Sequence, residues 1–133
     1  MNLAYRLDND RVVVKLDLIV DIANIDRVRT DLLAIIAAHR PTSRVCVLDL
    51  GAAPYVLPTG LSLLAHVHRH CRQHGGHVRA VSDRPLVRRV FRLVGMHRVV
   101  PLYSTLDEAL RADDPLPRDE PLPSRSPTDA VES

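Results

Sequence analysis

Aromatic side chains are nearly missing from this chain of 133 residues, which has one Phe, three Tyr and no Trp. Its core must therefore be built from Leu, Val, Ile and Ala. No apolar run approaches the length that spans a bilayer, and no charged N-terminal segment followed by an apolar run marks a secretory leader. The expectation is a cytoplasmic protein with no membrane partner. There are two cysteines, Cys46 and Cys71. They fall in a predicted strand and a predicted helix, where each reads as a small core hydrophobe rather than half of a disulfide. A Gly-rich phosphate loop is absent, and no Ser or Cys sits in a nucleophile motif with a base beside it. These absences predict a protein that is not an enzyme, has no catalytic residues and needs no cofactor.

Charge is present but uneven. Residues 1–112 hold 16 of the 18 Lys+Arg and 10 of the 16 Asp+Glu, a net +6, whereas residues 113–133 carry a net −4. The basic excess peaks from Arg69 to Arg98, with Arg72, Arg79, Arg84, Arg88, Arg89 and Arg92 against Asp83 alone. Stacking aromatics are missing there apart from Phe91, whose spacing marks it as core. No nucleic-acid motif is present either, so an arginine-rich solvated face or a site for an acidic protein fits better than nucleic acid.

Periodicity divides the chain into alternating elements. Leu3–Leu7 and Arg11–Leu16 read as strands around the turn cluster Asp8-Asn9-Asp10. Ile25, Val28, Leu32, Ile35 and Ile36 lie on one helical face, with Asn24 as the expected N-cap and Pro41 beyond the helix end. Val45–Leu50 is almost wholly apolar, as a strand covered on both faces should be. Gly60–Gln73 is a helix with Leu61, Leu64, Val67 (or His68) and Cys71 inward, stopped by Gly75-Gly76. His77–Val81 is a strand. A third helix starts at Pro85 with Asp83 in its cap region, and Leu86, Val90, Leu93 and Val94 are its expected buried face. Val99, Val100 and Leu102 form a last strand, and Thr105–Arg111 a last helix with a capping box from Thr105 to Glu108. The order predicts an α/β fold: a mostly parallel central sheet of four to five strands with about four helices, mainly on one face. The folded domain is expected over residues 1–112. Residues 113–133 hold five of the ten prolines with Ser, Asp and Glu, which predicts a disordered tail with Ser124, Ser126 and Thr128 open to modification.

The chemistry of such a fold is expected where a strand feeds a helix N-terminus, because free N–H groups and the helix dipole point there. Here that loop, Gly51–Pro58, is mostly apolar, with Tyr55, Val56, Leu57 and Pro58, and Thr59 supplies its one hydroxyl at the helix start. His66, His70 and His74 fall one turn apart on one face of the second helix. No carboxylate or cysteine joins them, so they read as solvated histidines rather than a metal site. Asp49 ends the central strand, where α/β enzymes often place an acid, yet no neighbour in sequence completes a site.

Four segments together resemble the STAS domain of bacterial anti-sigma-factor antagonists, from about Leu3 to Arg111. Val20-Asp21-Ile22-Ala23-Asn24 is similar to the family's Leu-Asp-x-x-Thr/Asn approach to the first helix. Val45–Leu50 with Thr59-Gly60-Leu61 is similar to its central strand and switch loop. Gly75-Gly76-His77-Val78 is similar to its Gly-Gly step, and Val90–Met96 with Val99-Val100-Pro101-Leu102 to its last helix and strand. The resemblance implies a regulatory module that binds an anti-sigma factor of the serine-kinase type, frees a sigma factor, and is released by phosphorylation in an Asp-Ser-Ser/Thr-Gly loop. A phosphate adds up to about two negative charges to an interface built for a hydroxyl.

This chain departs at that loop. Leu57 stands where the family has the aspartate and Pro58 where it has the serine, and only Thr59 and Gly60 fit. Leu18 replaces the upstream glycine, although Asp21 fits. The expectation is docking through Asp21, Asn24, Tyr55, Val56, Leu57, Pro58, Thr59 and Gly60, without the usual phosphoserine switch. Thr59 is a weaker second phosphosite, better read as a cap or packing residue. The alternative is a sensor that binds a small ligand or anion at the same loop and helix N-terminus.

Overall fold

The computed structural model describes residues 3–40 and 43–112. The expected tail at 113–133 lies outside the described residues. β1 (Tyr5–Asp8) and β2 (Arg11–Lys15) form an antiparallel hairpin. Its turn is closed by Asn9 at φ 56°, a left-handed conformation that Asn tolerates better than most residues. β3 (Val45–Asp49), β4 (His77–Val81) and β5 (Leu102–Tyr103) then add in parallel, so the sheet order is β1-β2-β3-β4-β5. Because each parallel strand is laid on the same side of the last, right-handed crossovers bring every connecting helix to one face.

α1 (Ile25–His39), α2 (Pro58–Gln73) and α3 (Pro85–Leu93) pack on that face, over Val12, Val14, Cys46, Leu48, Val78 and Ala80. The other face carries Val13, Val45, Val47 and Val81 under α4 (Leu106–Arg111), through Leu106, Ala109 and Leu110. Alternate residues of β2 and β3 thus serve different cores, which explains why these strands have no polar face. The expected architecture is the observed one, and the Thr105–Glu108 capping box is formed.

Four local expectations are corrected. In α3 the buried residues are Val87 and Phe91, with Val90 half-buried, whereas Leu86, Leu93 and Val94 are exposed. The apolar arc of this helix is wider than its contact with the sheet. The helix is rotated by roughly 90° from the stripe read off the sequence, so that Phe91 faces inward. In α2 the inner face is Gly60, Leu63, Leu64, Val67 and Cys71, with Leu61 and His68 half-buried. The last strand begins only at Leu102: Val99 and Val100 donate their N–H groups to Met96 in a 3₁₀ turn over Met96–Arg98. Asp83 does not cap α3. Arg84 is the N-cap and no side chain caps the helix; Ser82 Oγ accepts the Arg84 N–H at 3.2 Å.

The Gly-Gly step has a steric origin. Gly75 ends α2 at φ 77°, a conformation that costs glycine little. Gly76 is needed for space: a Cβ there would stand 2.8 Å from the Arg44 carbonyl oxygen, which is backbone and cannot swing aside. Gly76→Ala is therefore expected to destabilise the protein by about 2 kcal/mol, read as a lower midpoint in urea denaturation with an unchanged slope. Gly75→Ala is the comparison for a conformational cost without a clash.

Candidate functional site

The loops after β2 and β3 meet at the C-terminal ends of the strands. Their contact rests on Thr59, whose Oγ1 donates to the Val20 carbonyl at 2.6 Å. Gly60 lies beneath it, where a Cβ would be 2.9 Å from Val56 Cγ1 and 3.8 Å from Val20 Cβ. Under both loops is an apolar cavity of about 20 Å³, walled by Leu18, Val20, Tyr55, Val56, Gly60 and Leu64 among others. That volume is close to that of a single water.

Asp21 and Asn24 shape the first loop. Asp21 Oδ1 accepts from the N–H groups of Ala23 and Asn24 at 2.9 and 3.0 Å. Asn24 Oδ1 accepts the Asp21 N–H at 2.8 Å, and its Nδ2 donates to the Ile19 carbonyl at 3.0 Å. The expected capping by the Asn24 side chain is not what is seen: no side chain caps α1, Asn24 closes the loop behind it, and Asp21 holds the N–H groups of Ala23 and Asn24 just before the helix. Their short polar side chains compete for nearby backbone groups, which ordinarily ends regular structure and here fixes the loop outline.

The second loop ends in Leu57, whose side chain caps nothing, followed by Pro58 at the first turn of α2. Proline fits there because its missing N–H would have no helical partner. The same substitution removes a donor from the helix N-terminus, so this end of α2 attracts anions less than most. Tyr55 and Pro58 are exposed, and Val56 and Leu57 half-buried. Ile22, which the sequence reading passed over, is 88% exposed beside Asp21. The available signal was an apolar residue at the tip of a polar turn. Tyr55, Leu57, Pro58 and Ile22 make the rim apolar, with the Asp21 carboxylate as its fixed charge.

Other candidates resolve into structural roles. Asp49 Oδ1 accepts the Gly51 N–H at 2.9 Å and so sets the turn that leaves β3. Arg79 leaves the basic surface altogether. It is 2% exposed and donates to the Ala109 carbonyl at 2.8 Å, beneath α4. Arg84 and Arg88 donate to the carbonyls of Gly51 and Ser82, which ties α3 to the rim.

No group of three or more His, Cys, Asp or Glu among the described residues could hold a metal ion. Arg40 donates to His70 Nε2 at 3.1 Å, and a guanidinium has no lone pair to offer, so that nitrogen is unprotonated. Burial, and then His74, Arg40 and His66, hold His70 below its ordinary pKa, and burial with Arg72, His77 and Arg69 does the same for His68. A native histidine with a depressed pKa binds fewer protons than the unfolded one, so stability falls as pH drops below about 6.5. The effect is absent above that value and levels off below the native pKa values. Melting temperature is expected to fall from pH 7.5 to 5, and the His68→Gln/His70→Gln variant should show a flatter profile.

The family model described as STAS domain matches residues 3–109. A protein of Mycobacterium tuberculosis described as an anti-anti-sigma factor is 33% identical over 64 residues, which is 48% of this chain and 43% of that protein. The chain therefore aligns with less than half the length of that relative. The crystal structure of an anti-sigma factor antagonist from Mycobacterium paratuberculosis superposes with a TM-score of 0.71 at 26% identity, covering 82% of this chain and 90% of that one. A Thermotoga maritima structure described as an anti-sigma factor antagonist gives a TM-score of 0.71 at 20% identity, over 81% and 91% of the two chains. That second likeness is one of fold. No helix among the described residues is long and apolar enough to cross a membrane.

Proposed function

The chain belongs to the STAS domain family, and from that premise we propose that it is a non-enzymatic anti-sigma-factor antagonist whose docking is not released by phosphorylation at the usual position. The partner is an anti-sigma factor of the serine-kinase type, met through Asp21, Asn24 and the Tyr55–Gly60 segment, with Ile22 added. The observation that carries this reading is the rim itself: two loops tied by the Thr59–Val20 hydrogen bond, presenting Ile22, Tyr55, Leu57 and Pro58 to solvent. Exposed aromatic and aliphatic groups beside the Asp21 carboxylate suit a protein interface. The cavity under the loops is small, about 20 Å³, which favours a protein partner on the rim over the small-ligand alternative.

The missing off-signal has a physical account. Position 58 has no hydroxyl. The Thr59 hydroxyl is spent on the Val20 carbonyl, and a phosphate there would break the bond that joins the two loops. The protein stays competent to bind whether or not the kinase is active, so control falls on its amount or on the partner.

The test is binding by calorimetry to purified anti-sigma factors with and without ATP, with phosphate mapped by mass spectrometry. The reading expects one partner to bind equally in both conditions and Thr59 to remain unmodified. A complex that dissociates on ATP addition, with phosphate on Thr59, defeats the switchless part of the proposal. No binding to any anti-sigma factor defeats the whole.

A further inference from the structure

At the opposite end of the sheet from the rim is a second cavity, of about 260 Å³, enclosed by the C-terminal ends of α1 and α2 and the first residues of β2 and β3. Its floor is apolar, formed by the buried Val12, Ile36, Cys46 and Cys71. Arg40, Arg44, Ser43 and His74 stand around it, and no described lining residue is acidic. Burial pushes the Cys71 thiol up to about 11 and Cys46 further, so both floor sulfurs are protonated at neutral pH and carry no charge.

The cationic wall is built rather than incidental. Arg40 is held by its bond to His70 at 3.1 Å. The Arg44 backbone is fixed by the His77 N–H, which donates to its carbonyl at 2.8 Å, and by the space that Gly76 leaves. Arg44 itself is exposed and makes no ion pair among the described residues.

We propose that this cavity is a binding site for a small carboxylate with a short apolar body. The carboxylate lies on Arg44 and Arg40, and the apolar end lies against Ile36 and Cys71. Guanidinium groups favour carboxylates by paired, charge-assisted hydrogen bonds. The uncharged floor rewards an apolar tail and gives nothing to a fully hydrated anion. The volume falls just below that of drug-sized sites, which begin at about 300 Å³, and limits the ligand to a short chain or a single ring. The site is separate from the docking rim and independent of that reading.

One rival occupant belongs to the chain itself: Asp113 and Asp114, which follow Ala112 in the sequence. The experiment is a titration of the full ¹⁵N-labelled chain with octanoate at neutral pH, beside octan-1-ol and acetate. Saturable shifts are expected at the amides of Val12, Cys46 and Gly76. Arg44→Glu should weaken octanoate at least tenfold without lowering the melting temperature, and octanol and acetate should each bind at least tenfold more weakly. No saturable shift up to about 5 mM octanoate, equal binding of octanol, or shifts centred on Tyr55–Gly60 would each overturn the proposal. So would an Asp113→Asn/Asp114→Asn variant that moves the same signals unaided and takes octanoate more tightly, because the chain itself would then fill the site.

Discussion

Gly60→Arg is expected to weaken binding to the anti-sigma partner by roughly 30-fold or more, the loss of about 2 kcal/mol that marks an interface centre. Its Cβ would already stand 2.9 Å from Val56 Cγ1. The guanidinium cannot enter an apolar cavity of about 20 Å³ without leaving its charge unpaired. It must leave toward solvent, and the way out lies through Tyr55–Leu57. The loop is lifted and the apolar rim is divided. Overpacking of this kind also costs about 1–3 kcal/mol of stability, so affinity should be measured well below the melting temperature of the variant. Gly60→Ala separates the two effects, since Val56 Cγ1 ends a side chain that can shift by a few tenths of an ångström. Leu57→Asp adds no bulk and places a carboxylate on the rim at a half-buried position. If Gly60→Arg folds and binds with unchanged affinity, the partner docks elsewhere.

Phe91→Ala should cost about 3–5 kcal/mol of folding stability, the usual range for emptying a buried aromatic site. Phe91 is fully buried and is the one Phe in the chain. It anchors α3 to a sheet whose other contacts are mostly Val, Leu and Ala. Small aliphatic neighbours on β4 have little reach with which to collapse into the gap. Most of a marginal stability would be lost, and urea denaturation should show a much lower midpoint. Phe91→Leu, which keeps most of the volume, is expected to cost less than half as much. A small effect of Phe91→Ala would mean that α3 contributes little to the core.

Much of the fold could be read in the sequence because its signals are local and repeated. The turn at Asn9, the 3.6-residue pattern of α1, the apolar run Val45–Leu50 and the Thr105–Glu108 box each name their element without reference to any other. Helix faces were harder. In α3 an apolar arc wider than its contact allowed more than one rotation, and only the fit of Phe91 into the sheet chose between them. Arg79 looked like its basic neighbours in the sequence, yet its strand position turns it under α4. Asn24 does not cap α1 as expected, because its side chain is taken by the Asp21 N–H and the Ile19 carbonyl that the loop brings near. The joining of the two loops by the Thr59–Val20 bond could not be read in the sequence, because those residues lie 39 positions apart, and neither could the exposure of Ile22.

By itself the sequence determined the alternation of elements, and through it a mostly parallel sheet with its helices mainly on one face, because parallel crossovers admit one handedness. It also determined that position 58 offers no hydroxyl. The tertiary structure decided what no local pattern encodes: which half of an amphipathic helix is buried, that Gly76 answers to the Arg44 carbonyl, and that the β2 and β3 loops close over a cavity of about 20 Å³ while a roomier one with a cationic wall opens at the far end. Those outcomes depend on distances between residues far apart in the chain, and such distances are fixed only when the layers pack.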